Sequence, residues 1–352
     1  MNDHAQTIQQ QIAEAYHESR PLAIVGGNSK AFYGNTVNAE KLDVTQHTGI
    51  VNYAASELVI TARCGTPLRE INNTLAEHKQ MLAFEPPQFG DSATIGGTVA
   101  CNLSGPRRAY AGAARDFVLG CKIINGKGEL LSFGGEVMKN VAGYDVSRLM
   151  AGALGTLGVI SEVSLKVLPL PETEITLVLE CSDAKALESM HRWSRAPLPI
   201  SASCYDGDRL FIRIGASAAA VAAARKHIGG ELYAAGEAHW QKIREHQHAF
   251  FQSKPSLWRL SVESSAAPMK LEGKFLYEWG GALRWCETDA SADVVRTYAA
   301  TANGHATLFR GARQGEEVFT PLPRPLFELH RRLKAVFDPA GILNPGRMYA
   351  GL

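Results

Sequence analysis

The chain has 352 residues, 45% of them hydrophobic and 20% charged, enough apolar material for two substantial cores. Lysine and arginine number 36 against 35 acidic residues, a balance that sets up no field to recruit nucleic acid or anionic lipid. No segment reaches the roughly 20 apolar residues of a transmembrane span, and MNDHAQTIQQQIAEAY lacks an apolar leader core. The expectation is a cytoplasmic protein, peripheral on the cytoplasmic face of the inner membrane only through partners.

Along the chain, Ile8, Ile12 and Tyr16 recur every four residues and predict a first helix, after which Leu22 to Val25 form a short apolar strand entering GGNSKAFYG. Glu57 to Cys64 alternates like a strand. Thr66 and Pro67 read as N-cap and first helical residue of LREINNTLAEH, in a strand–helix–strand unit ending at MLAFEPP. Phe117 to Ile124, the turn NGKG and Glu129 to Phe133 predict a hairpin, followed by a glycine-punctuated helix around Ser147 to Ala153 and a strand from Val159 to Val167. LPLPETE, starting at Leu168, breaks helix and strand alike and places a boundary near residues 169–173.

Beyond it come ITLVLEC, a helix from Asp183, a hairpin around Asp206-Gly207-Asp208 and the helix SAAAVAAARKHI. Strands at LWRLSVE and KFLYEW and a helix near Ala292 to Ala302 complete a second α+β domain with an antiparallel sheet. The tail from Pro321 holds the helix LFELHRRLKAVF and the turn-rich DPAGILNPGRM.

Gly26-Gly27-Asn28-Ser29 follows an apolar strand, and such residues can turn successive amides toward one anion; the same run also suits a plain turn. The small-residue stretch 91–112 holds Thr94-Ile95-Gly96-Gly97-Thr98, which would give a diphosphate a second clamp or let a helix pack closely on a sheet. A third glycine run, 152–158, leads into Val159-Ile160. Neither G-x-G-x-x-G between strand and helix nor G-x-x-x-x-G-K-[ST] occurs, so the two commonest nucleotide loops are absent.

The cysteines at 64, 101, 121, 181, 204 and 286 have neither zinc nor iron–sulfur spacing and read as buried thiols. His246-Gln247-His248 falls in a helix, where residues two apart face different ways and chelate poorly. His330 reads as a helix-surface residue. Arg107-Arg108 and Arg331-Arg332 read as solvated faces.

VGGNSKAFYG (25–34), PP (86–87), ATIGGTVACNLSG (93–105), RDFVLGCKIINGKGE (115–129), KNVAGYDVSRLMAGALGTLGVISEVSLKVLP (139–169) and DPAGILNPGRM (338–348) together resemble the FAD-binding fold of the vanillyl-alcohol oxidase, or PCMH, type. LAFEPPQFG, SGPRRAYAG and EWGGALRW further resemble the FAD-binding subunits of bacterial glycolate oxidase. The resemblance implies an α+β protein with a two-lobed FAD-binding domain at 1–172, an α+β cap domain with an antiparallel sheet at 173–320, and a C-terminal segment at 321–352 that returns to the FAD domain.

It assigns the first phosphate loop to Val25, Gly26, Gly27, Asn28, Ser29 and Lys30, and the second to Ala93, Thr94, Ile95, Gly96, Gly97 and Thr98, with Pro87 nearby. Gly105, Ala111 and Gly112 would border the flavin, Gly158, Val159 and Ile160 would meet adenine or ribose, and Asn344 would return from the tail. Tyr144-Asp145 would pack beneath the flavin. Positions 25–34 hold neither histidine nor cysteine, so the FAD is expected to be noncovalent.

The implied reaction is oxidation of glycolate, which needs a base for the hydroxyl proton and a cation for the carboxylate. The metal-binding G-D-G-N-x-H-like motif of related hydroxy-acid dehydrogenases is missing, so no metal is expected; His305 and Arg310, in NGHATLFRG, stand as base and clamp candidates. The implied partners are a second FAD-containing glycolate oxidase subunit and an iron–sulfur subunit. Two alternatives stay open: a self-sufficient FAD-dependent D-2-hydroxy-acid dehydrogenase, and a non-enzymatic scaffold with a vestigial flavin site.

Overall fold

In the computed structural model, which describes residues 2–135, 144–252, 256–311 and 317–352, contacts divide the chain into two units. The first comprises residues 1–103, 113–169 and 321–352; the second, 104–112 and 170–320.

In the first unit the helix Ala5–His17 buries Ile8, Ile12 and Ala15, and each such Ile contributes about 1.5–3 kcal/mol by leaving water. Leu22–Val25 pairs in parallel with Glu40–Asp43, and Leu22 also bridges Leu343 of the tail. The main sheet is five-stranded and antiparallel, in the order Ile50–Ala54, Val59–Arg63, Val159–Lys166, Val118–Ile124, Leu130–Gly134. Its middle strand is buried on both faces, and its first residues reach the cavity described below.

Two local expectations change here. Helix Leu68–Glu77 starts one residue later than predicted, with Pro67 as its cap, because the Thr66 hydroxyl is taken up by the N–H and C=O of Gly49. At MLAFEPP only Gln80–Met81 is a strand, paired with Leu168–Pro169.

The tail is locked to this unit. From helix Arg324–Phe337, Lys334 Nζ donates to Thr156 O at 2.9 Å, Leu343 O at 2.8 Å and Asp338 Oδ2 at 2.8 Å. The Asp338 carboxylate accepts the N–H groups of Ile342 and Leu343, and both charged residues are buried. Asn344 then accepts from Ile24 N at 2.8 Å and donates to Leu154 O at 2.7 Å. A buried ion pair survives only when its remaining polar valences are met, as they are at this one.

The second unit is built on an open eight-stranded antiparallel sheet, in the order Glu231–Leu232, Thr173–Glu180, Arg209–Ala216, Ile200–Tyr205, Lys274–Glu278, Leu283–Thr288, Ser256–Ser261, His305–Arg310. Helices Asp183–Ser194 and Ala218–Ile228 cover Leu177, Ile212 and Ile214 with Ala186, Met190 and Val221. Helix Ala292–Thr301 closes a second cluster around Trp258, Leu260 and Leu308.

Residues 104–112 pack within this unit: Trp279 Nε1 donates to Gly105 O at 3.0 Å and Tyr110 OH bonds Ser203 Oγ at 3.0 Å. Arg107 is therefore not on a solvated face; it is 8% exposed and holds Glu174 at 2.7 Å. His246 is not helical either. Helix Gly236–Arg244 ends before it, His246 takes φ +52°, and its ring stacks on Phe251 at 4.1 Å.

Candidate functional site

A cavity of about 530 Å³ opens in the first unit, and Val25, Gly26, Gly27, Asn28, Ser29, Lys30, Thr94, Gly96, Gly97, Gly158, Val159, Ile160 and Asn344 all line it. Four chain segments far apart in sequence meet there because the parallel pair, helix Ile95–Cys101, the central strand of the five-stranded sheet and the locked tail converge. Ala93, Ile95, Thr98 and Pro87 are buried outside the lining, and Gly105, Ala111 and Gly112 belong to the second unit.

The two loops differ in their amides. In the second, Ile95 N donates to Thr66 O at 3.0 Å, Gly96 N to Cys64 O at 2.9 Å and Thr98 N to Thr94 O at 3.0 Å, while Gly97 N is capped by Thr94 Oγ1 at 3.3 Å. Those donors are spent on holding helix Ile95–Cys101 in place. In the first loop no acceptor among the described residues takes the amides of Gly27, Asn28 or Ser29. Asn28 sits at φ +58° and its carbonyl accepts from Ala31 N, a left-handed kink of the kind that gathers successive N–H groups at one point.

The glycines also differ in purpose. A Cβ on Gly27 would stand 1.4 Å from Ser92 O, and one on Gly96 would be 2.5 Å from Cys64 Cβ, so both are needed for chain-on-chain contact. A Cβ on Gly97 would meet only its own cap, Thr94 Oγ1, at 3.3 Å; the rest of its surroundings are open. Close helix packing thus explains Gly96, whereas Gly97 faces space into which a ligand fits.

Among the described residues, Lys30, Lys41 and Arg347 line the cavity and no carboxylate does. Sequence reasoning missed Lys41 because EKLD, with a single apolar residue, carries no strand signal. It missed Arg347 as well, whose only mark is its place in NPGRM. Arg347 donates to Asn35 O at 2.7 Å, Tyr33 O at 2.7 Å and Ala31 O at 3.0 Å, bracing the chain that follows the first loop. Cys64 and Cys101 also line the wall; burial pushes the Cys64 thiol up to about 12 and raises Cys101 too, against the opposing pull of Lys30 and Arg347.

The hydroxy-acid candidates are not brought together. His305 and Arg310 are the first and last residues of one edge strand, with backbones roughly 16 Å apart at about 3.3 Å per residue. His330 is half-buried with its ring 6.3 Å from Tyr349, and Tyr144 is 96% exposed. Among the described residues no group of three or more His, Cys, Asp or Glu is arranged to hold a metal ion, and no helix is long and apolar enough to cross a membrane.

Comparison with known proteins supplies independent findings. A family model described as an FAD binding domain matches residues 2–134, and one described as the C-terminal domain of FAD linked oxidases matches residues 311–348. Glycolate oxidase subunit GlcE of Escherichia coli (strain K12) is 50% identical over 350 residues, covering 99% of both chains. Glycolate oxidase subunit GlcD of Bacillus subtilis (strain 168) is 40% identical over 97 residues, 27% of this chain and 21% of the relative. D-lactate dehydrogenase of Anaerostipes hadrus is 33% identical over 138 residues, 39% and 29%. Among solved structures, 4-ethylphenol oxidase from Gulosibacter chungangensis aligns with a TM-score of 0.73 at 12% identity over 99% of this chain and 88% of that one. That likeness is one of fold alone.

Proposed function

The chain belongs to the family of glycolate oxidase subunit GlcE, within the FAD-dependent oxidoreductases, and on that premise we propose that it is the subunit of a multi-subunit oxidase that holds FAD noncovalently in the first-unit cavity. The observation that carries this reading is a cavity that, among the described residues, has three lining cations, no lining carboxylate and three unclaimed amides at Gly27 to Ser29. A diphosphate brings two negative charges, and such a wall stabilises them without opposing charge. The loop 26–30 is the main clamp, with Lys30 beside it. The second loop acts through the open space at Gly97 rather than through its amides. Gly158, Val159 and Ile160 offer a flat apolar edge for the nucleoside end.

Bound FAD supplies the two-electron acceptor for a 2-hydroxy acid, here glycolate going to glyoxylate. Electrons then pass to an iron–sulfur partner subunit, and a second flavin subunit completes the oxidase. The placement of His305 and Arg310 at opposite ends of one strand favours this subunit reading over a self-sufficient dehydrogenase, whose base and carboxylate clamp have to converge on one small substrate. Noncovalent binding is supported by the raised thiols of Cys64 and Cys101: the thiolate is the nucleophile a covalent tether needs.

The test is a visible spectrum of the purified chain, before and after acid precipitation, followed by anaerobic addition of glycolate. Flavin that is released into the acid supernatant, stays oxidised in the isolated chain and bleaches in the assembled oxidase is the expected result. A chain that never takes up FAD, or whose flavin bleaches alone, contradicts it.

A further inference from the structure

Helix Arg324–Phe337 is 14 residues long, yet only Lys334 and Phe337 are fully buried. Leu326 is 41% exposed, Leu329 51% and Val336 73%, and Leu333 is half-buried between them. These four recur at i, i+3, i+7 and i+10, the spacing of a two-heptad seam, and at about 100° per residue they span only ~80° of the helix surface. Valine is a weak helix former, so placing it outward in the last turn gains nothing within this chain. The helix is held by the strip that adjoins Leu326, where Phe337, His330 and Lys334 follow within about 80° and the His330 ring meets Tyr349, which leaves the seam itself to something else.

We propose that this seam is a docking site for an amphipathic helix with acidic flanks, presented by the D-type flavin subunit of the oxidase; the inference rests on the subunit reading above. The width of the seam selects a helix. An ~80° stripe of leucine and valine suits knobs-into-holes packing, whereas a helix lying in a lipid surface needs a broader apolar face with aromatic anchors. The charges select the partner. Arg332 stands at the position flanking the seam, and Arg324 and Arg331 follow on the same outer side, against Glu328 as the one acid, itself 3.7 Å from Arg331. A second copy in antiparallel pairing would set Arg332 against Arg332, and in parallel pairing against Phe337 or His330, with no counter-charge in either case. A helix of ~21 Å is too small to hold an interface of about 800 Å² per partner alone, so the seam is the apolar centre of a wider contact.

The experiment compares the FAD-loaded wild type with Leu329→Glu/Val336→Glu and with Arg332→Glu, each titrated with purified D-type subunit and followed by light scattering. Because these side chains are exposed, flavin content and melting temperature should match wild type. The double variant should bind about 30-fold more weakly, and Arg332→Glu about fivefold, with a shallower salt dependence. Double-variant binding equal to wild type overturns the seam alone. So do a wild-type dimer that the variant loses, which identifies a second copy, and wild-type sedimentation with phosphatidylglycerol vesicles that the variant loses, which identifies lipid. Wild type that ignores the D-type subunit overturns both the seam and the subunit reading.

Discussion

Gly97 and Gly27 lie in the same cavity wall, but an added Cβ would meet only the Thr94 hydroxyl at 3.3 Å at one and a carbonyl oxygen 1.4 Å away at the other. Gly97 is the third residue of helix Ile95–Cys101, where a carboxylate is compatible with the helix dipole. Gly97→Asp should therefore fold, yet weaken FAD binding by roughly 2 kcal/mol, about 30-fold, through repulsion of the diphosphate. Gly97→Ala should keep most of its flavin. Equal affinity of both variants in a fluorescence titration would remove Gly97 from the phosphate site. The glycines were legible in the sequence because small residues cluster visibly. What each one touches was not, since Ser92 and Cys64 become neighbours of Gly27 and Gly96 only in the folded chain.

Among the elements, Leu22–Val25 and the hairpin around NGKG were readable because apolar runs bounded by turn residues leave few alternatives. Leu283–Thr288 was missed: all six residues are buried, so it shows no alternation, and its arginine and glutamate disguise a central strand. The tail helix was legible from its period, but the job of its lysine was not. Asp338→Ala would leave Lys334 buried without its partner and free the amides of Ile342 and Leu343, at a cost of about 3–5 kcal/mol. Calorimetry should show the first unit melting roughly 10 °C lower. Flavin retention should fall with it, since Asn344 and Arg347 follow directly in the chain. An unchanged melting point would mean that the ion pair is not what fixes the tail.

At the scale of the whole molecule, acid should act unevenly. In the second unit burial holds His239 down at about 4, His246 well below its ordinary value and His248 below it as well. Among the described residues the buried Nε2 of His239 has no hydrogen-bond partner, so the folded state resists taking up a proton there. A histidine whose folded pKa is depressed contributes stability above its unfolded value near 6.5, and that stability is lost as pH falls toward 4. His239 alone accounts for about 3 kcal/mol across that window. The transition of the second unit should shift downward between pH 6.5 and 4, and His239→Phe, which keeps the stack on Phe211, should flatten the shift. A slope identical in the variant would place the acid sensitivity elsewhere. The bond from Ile24 to Asn344 spans 320 positions and has a consequence for biosynthesis. The strand that carries Ile24 is translated before the second unit, but its partner emerges only after that unit is complete. The proposed dinucleotide cradle therefore lacks its final wall until the whole second unit has been translated, and coenzyme loading has to wait for that segment.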